Sequence, residues 1–132
     1  MTTLTLVLLH PLQSVPVQNW TFREESVVRI GRSTDNDVVL YSAVVSRHHV
    51  ELRLDGDQWR VVNLGTNGTY INDKRVDDCD AKDGLVFRLA SSGPKIQIRL
   101  EIEEDADEFD EINDTNYGLR KLLSMKINEM RY

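Results

Sequence analysis

Along the first hundred residues, apolar and polar side chains alternate in short bursts separated by turn-forming residues. Leu4, Leu6 and Leu8 interleave with Thr5, Val7 and Leu9, as in a strand with one or both faces buried. A loop with Pro11 and Pro16 follows, and then Val15, Val17, Trp20 and Phe22 suggest a second strand. Val27, Val28 and Ile30 run up to Gly31, and Val38, Val39 and Leu40 form a very short apolar stretch. Val50, Leu52 and Leu54 alternate cleanly into Asp55-Gly56, a strong hairpin signal that leads to Trp59, Val61 and Val62. Further strands are expected over 69–72 and 74–76, around Leu85, Phe87 and Leu89, and across Ile96, Ile98, Leu100 and Ile102. The pattern predicts about ten or eleven short strands and no helix in this region, an all-β, two-sheet antiparallel β-sandwich with loops free for binding.

The chain changes character at Glu103. Eight of the twelve residues from 103 to 114 are acidic, which repels itself and predicts a solvated linker over 103–116. Asp105, Asp107 and Asp110 lack the glycine and glutamate spacing of a calcium loop. Beyond them Leu119, Leu122, Leu123, Ile127 and Met130 recur at helical spacing, predicting an amphipathic C-terminal α-helix over 117–132. Such a helix could pack on its own sandwich, pair with a second copy to give a homo-oligomer, or dock on a partner; alone in water it is marginal. The expected organisation is therefore a β-sandwich domain at 1–102, the linker, and the helix.

Charge sharpens the division. The net charge of −6 is carried mostly by the tail: residues 1–102 hold 12 Lys/Arg against 13 Asp/Glu, and residues 103–132 hold 4 against 9. A body without a basic stripe argues against nucleic-acid binding. The longest apolar run, Leu6 to Leu9, falls far below the roughly 18 residues of a membrane span, and no signal-peptide pattern surrounds it. A cytoplasmic setting is expected, so the Asn-x-Thr triplets at Asn19, Asn67 and Asn113 are not expected to carry glycans. A lone cysteine, Cys79, fits a reducing compartment, and no base stands near it in sequence to make it a nucleophile. His48-His49 has no third metal ligand close by in the sequence. With no activated nucleophile, metal cluster or P-loop, the chain is not expected to be an enzyme or to hold a cofactor or metal.

Three segments remain that set polar, backbone-shaping residues between strands: Gly31-Arg32, then Ser46-Arg47-His48-His49, then Asn63-Leu64-Gly65-Thr66-Asn67-Gly68-Thr69-Tyr70-Ile71-Asn72. Each alone is commonplace. A lone Arg after Gly is usually a surface charge, and Asn-Gly is a frequent turn. Taken in order over roughly residues 4–102, however, the chain resembles the forkhead-associated (FHA) family, whose pattern is Gly-Arg, Ser-x-x-His and Asn-Gly-Thr-x-x-Asn. The resemblance implies a sandwich of the SMAD-FHA type and a non-catalytic signalling adaptor or regulatory domain. Its partners would be phosphothreonine-containing proteins, substrates of a Ser/Thr kinase.

The chemistry suits that reading. A phosphothreonine side chain carries close to two negative charges and three acceptor oxygens, and a guanidinium fork matches two of them. The resemblance gives Arg32 and Ser46 the direct phosphate contacts, with Arg47 in support, and makes Thr66 and Asn67 the third-loop contacts. Gly31, His49, Gly68 and Asn72 are expected to shape the site rather than touch the ligand. If the stretch around it is extended, His48 points away from His49. The third loop departs from the common family pattern Asp-Leu-x-Ser-x-Asn-Gly-Thr by being one residue shorter and starting with Asn63, and Asp73 replaces the usual glycine of the following turn. These departures bear most on Thr66. A different reading, a phosphate-independent scaffold or oligomerisation module acting through the C-terminal helix, stays open at this stage.

Overall fold

The computed structural model of the protein describes residues Thr2–Ile102; the linker and helix expected over 103–132 lie outside the described residues. Among the described residues eleven strands form: β1 (Thr2–Leu9), β2 (Pro16–Phe22), β3 (Val27–Gly31), β4 (Val38–Val39), β5 (Val50–Asp55), β6 (Gln58–Asn63), β7 (Thr69–Ile71), β8 (Lys74–Val76), β9 (Asp78–Asp80), β10 (Val86–Leu89) and β11 (Lys95–Ile102). They make a six-stranded sheet in the order β2-β1-β11-β10-β7-β8 and a five-stranded sheet in the order β4-β3-β5-β6-β9. One core joins the two. Leu4, Leu6, Phe87, Leu89, Ile96 and Ile98 come from the first sheet, and Val28, Ile30, Val50, Leu52, Trp59 and Val61 from the second. The unbroken apolar run in β1 has a simple cause: Val7 and Leu9, which alternate with the core-facing leucines, are buried as well.

Two features differ from the expected pattern. The sandwich is not antiparallel throughout, because β4 runs parallel to β3 with Ile30 beside Val38. A parallel neighbour normally needs a crossover of a dozen or more residues. Here residues 32–37 loop round to the same edge, and the Leu40 N–H closes the return on the Gly31 carbonyl at 2.9 Å, so β4 is a two-residue bridge. The second feature is β9, whose Asp-Cys-Asp sequence shows no apolar alternation. It is an edge strand held by pairing to β6 and by Arg60, whose guanidinium reaches both Asp78 and Asp80.

Register fixes the two poles. Leu9 pairs with Lys95, Arg88 with Lys95, and Leu89 with Thr69, so the loops after β1, β6 and β10 emerge at one pole of the six-stranded sheet. At the opposite pole Thr2 pairs with Ile102. The β7–β8 turn is the tight hairpin its sequence suggests: Asn72 (φ 49°) and Asp73 (φ 65°) both adopt the left-handed region that such a turn requires.

Candidate functional site

Residues 32–37, 40–49 and 64–68 gather where β3 and β6 end and β5 and β7 begin. The Arg32 N–H donates to the Ser46 carbonyl at 3.0 Å, and the Ser33 N–H donates to the Arg47 carbonyl at 3.1 Å. These bonds tie the start of the first loop to the end of the second and set Arg32 beside Ser46 and Arg47. The approach depends on Gly31, since a Cβ there would stand 2.1 Å from the Arg47 carbonyl oxygen. Asn36, which sequence reasoning passed over, locks the same corner. It is 8% exposed, and its amide nitrogen donates to the carbonyls of Ser33 and Arg47, both at 2.7 Å. The available signal was an Asn inside a polar turn, too common a feature to single out.

His49 joins the second loop to the third. Fully buried, it receives the Ser46 N–H on Nδ1 at 3.0 Å, and its Nε2 lies 2.7 Å from the Gly68 carbonyl. A main-chain N–H can only donate, so Nδ1 carries the lone pair and Nε2 carries the proton: the ring is neutral. Burial holds its pKa below the ordinary 6.5, against a smaller upward pull from the Gly68 carbonyl. The His49 carbonyl meanwhile accepts the N–H groups of Leu64 (2.8 Å) and Gly65 (3.0 Å). Gly65 packs against the imidazole so closely that a Cβ would lie 2.7 Å from the ring. His48 faces the other way, exposed, with Nε2 at 3.0 Å from both oxygens of Asp35. A side-chain hydrogen bond from Ser33, then that of His48, holds the Asp35 carboxyl below its usual value. Among the described residues no group of three or more His, Cys, Asp or Glu is placed to hold a metal ion.

The third loop is braced by side chains. Asn63 accepts the Thr69 hydroxyl at 2.8 Å and donates to the Gly65 carbonyl at 3.1 Å. The second bond needs an N–H, which a carboxylate lacks, so the Asn in place of the family's Asp suits this shortened loop. Gly68 has φ +82°, the left-handed angle a glycine tolerates. Asn67 bridges to the second loop, Nδ2 donating to the Val44 carbonyl at 2.9 Å. Thr66 is exposed and its hydroxyl is unpartnered among the described residues; its carbonyl lies 3.4 Å from Nη2 of Arg75. Asn72 stands apart from this cluster, in the β7–β8 turn.

All three loops fall inside the span that matches a known family. The FHA domain profile matches residues 28–90. An FHA domain solved in work on phosphothreonine-dependent FHA interactions superposes with a TM-score of 0.63 at 31% identity, over 76% of this chain and 99% of that one. The chain belongs to the FHA domain family. FHA domains bind phosphothreonine. The glycogen accumulation regulator GarA of Mycolicibacterium smegmatis is 39% identical over 54% of this chain and 50% of its own length. The oxoglutarate dehydrogenase inhibitor of Corynebacterium jeikeium is 44% identical over 57% of this chain and 46% of its own. The chain thus spans about half the length of these two curated relatives.

Within this FHA sandwich the cations on the five-stranded sheet and those at the three loops differ in how they are paired. On the five-stranded sheet Arg29 and Arg53 share Glu51, whose carboxyl is held low first by Arg53, and Arg60 grips Asp78 and Asp80. Around the three loops, Arg32 and Arg47 are exposed and have no carboxylate partner among the described residues. No helix among the described residues is long and apolar enough to cross a membrane.

Proposed function

We propose that this chain is a non-catalytic, phosphothreonine-dependent protein-interaction module and that Arg32 and Ser46 contact the phosphate directly. The observation that carries the reading is the Arg32 N–H bond to the Ser46 carbonyl. It ties together, main chain to main chain, the two residues that carry a guanidinium and a hydroxyl, and neither side chain has a structural partner among the described residues. A phosphate monoester supplies the charge and acceptors both groups lack. Arg47 adds a second cation. Thr66 offers a third hydroxyl or main-chain donor, and Asn67, after its bond to Val44, keeps one amide hydrogen and its carbonyl oxygen for the main chain of a bound peptide. Gly31, His49 and Gly68 serve by holding these groups in place. The partners are phosphothreonine-bearing proteins, substrates of a Ser/Thr kinase. Two relatives named as a regulator and an inhibitor fit control by binding rather than by catalysis. A reducing, cytoplasmic setting belongs to the same reading, in keeping with a single unpaired cysteine.

Calorimetry with a phosphothreonine peptide tests this directly. Micromolar binding, about −8 kcal/mol, is expected for wild type. Arg32→Ala should weaken it about ten- to hundredfold, equivalent to roughly 1.5–3 kcal/mol for lost charge-assisted hydrogen bonds. The unphosphorylated peptide should not bind. Equal binding by Arg32→Ala and wild type would remove Arg32 from the site.

A further inference from the structure

The unmatched cations do not stop at the loops. On the outer face of the six-stranded sheet, just beneath the loop rim, Lys95 pairs in register with Arg88, Arg88 with Tyr70, and Tyr70 with Arg75. Thr69, Phe87, Leu89 and Ile96 are fully buried, so alternation turns this row outward. Three of its four positions are cationic, on β11, β10 and β8, and none has a carboxylate partner among the described residues. Arg88 donates Nε to the Gly93 carbonyl at 2.9 Å, which anchors the stem and leaves the fork outward. A groove of about 370 Å³ opens over Tyr70, Arg88 and Lys95 of this row, lined also by Asn72, Val86 and Ser91, with Asp73 its one carboxylate.

The groove adjoins the site already described through its lining residues' neighbours. Tyr70 follows Thr69 directly after the Asn67-Gly68 pair, and Ser91 follows Ala90, whose N–H donates to the Gly68 carbonyl at 2.8 Å. Arg75 reaches back to the Thr66 carbonyl. Four neighbouring strands span three gaps, roughly 14 Å, which an extended peptide covers in about four residues. The contrast with the opposite sheet is informative. There the half-buried Arg60 and the cations Arg29 and Arg53 are matched by carboxylates of the fold itself, whereas half-buried Arg88 and Lys95 are left for an anion from outside.

We propose that this groove is a second, acid-reading subsite, which receives Asp or Glu side chains on one flank of the same phosphothreonine segment. The proposal rests on the phosphothreonine reading and deepens it. The occupant is an acidic stretch of the phosphorylated partner, because charge matches it and the groove begins where the third loop ends. Tyr70, Ser91 and Asn72 supply neutral donors that orient carboxylates between the two cations.

The test uses the full chain and matched peptides with phosphothreonine at the centre and three Glu or three Ala on one flank or the other, titrated by calorimetry at low and high salt. One acidic flank should tighten binding about three- to tenfold at low salt, with the gain fading at high salt as expected for exposed ion pairs. Lys95→Gln and Arg88→Gln should each reduce that gain while binding the alanine peptides as wild type does; Lys95 makes no hydrogen bond to the fold through its amine, so its variant guards against misfolding. Arg32→Ala should weaken every phosphopeptide alike. Equal affinity for acidic and alanine flanks on both sides would overturn the subsite, as would a gain that survives both substitutions, and the phosphothreonine reading would stand. If wild type binds no phosphopeptide, the phosphothreonine reading falls and takes the subsite with it. Tight binding of an acidic peptide without phosphate would also overturn the proposal, in favour of a phosphate-independent docking face.

Discussion

The first two loops and the third loop reach the same pole by different means. Residues 32–33 and 46–47 are joined main chain to main chain, so the side chains of Arg32, Ser46 and Arg47 take no part in holding their own loops. The third loop depends on side chains: Asn63 on Thr69 and Gly65, Asn67 on Val44, and the His49 ring on Gly68. With Gly31 and Asn36 setting the corner between the first two loops, the main-chain ties leave the side chains of Arg32, Ser46 and Arg47 to a ligand. Side-chain ties make shape and recognition inseparable. A substitution at Arg32, Ser46 or Arg47 therefore tests chemistry, and one at Asn63 or Asn67 tests chemistry and architecture together.

The largest effect should come from the group that serves both regions. His49→Ala removes two buried hydrogen bonds and leaves a cavity, so unfolding in denaturant should show a loss of about 2–5 kcal/mol, with phosphopeptide binding impaired as well. A wild-type midpoint would mean that the loops do not rely on the ring. Next comes Asn63→Ala, which removes two of the third loop's side-chain ties and leaves the buried Thr69 hydroxyl unsatisfied; about 1–3 kcal/mol of stability should go. If that loss is absent while binding is unaltered, the third loop is held by its main chain after all, and the contrast dissolves. A smaller effect follows from pH. The folded His49 has its pKa below 6.5, so below that value the unfolded chain takes up the proton first. The contribution of the neutral ring is complete above pH 6.5 and is lost as pH falls through the folded value. Denaturation midpoints at pH 7.5 and 5.5 should therefore converge in His49→Gln relative to wild type. Least of all, Arg32→Ala, so damaging to binding, should leave stability within about 0.5 kcal/mol, as expected for an exposed side chain without structural partners.

Much of the body was legible because burial imposes period two: Leu4, Leu6, Ile96 and Ile98 declare their strands through their spacing. β9 was not, because its pairing requires main chain and an arginine fork rather than apolar side chains. The parallel turn of β4 was hidden for a related reason, since two residues carry no directional pattern. At the site, residues whose roles follow from steric need or family order, such as Gly31, His49 and Gly68, could be named in advance. Asn36 and the bracing work of Asn63 could not. Their partners are main-chain carbonyls and a hydroxyl at positions that become neighbours only once the loops have folded.

The pairing of Thr2 with Ile102 has a practical reach. Thr2 and Ile102 stand on neighbouring strands at the pole opposite the three loops, so an attachment made at either position is made at the far end from those loops. The domain is thereby built like a plug-in reading head. Mounting residues 2–102 on a sensor surface by that base would set the point of attachment at the pole opposite the three loops.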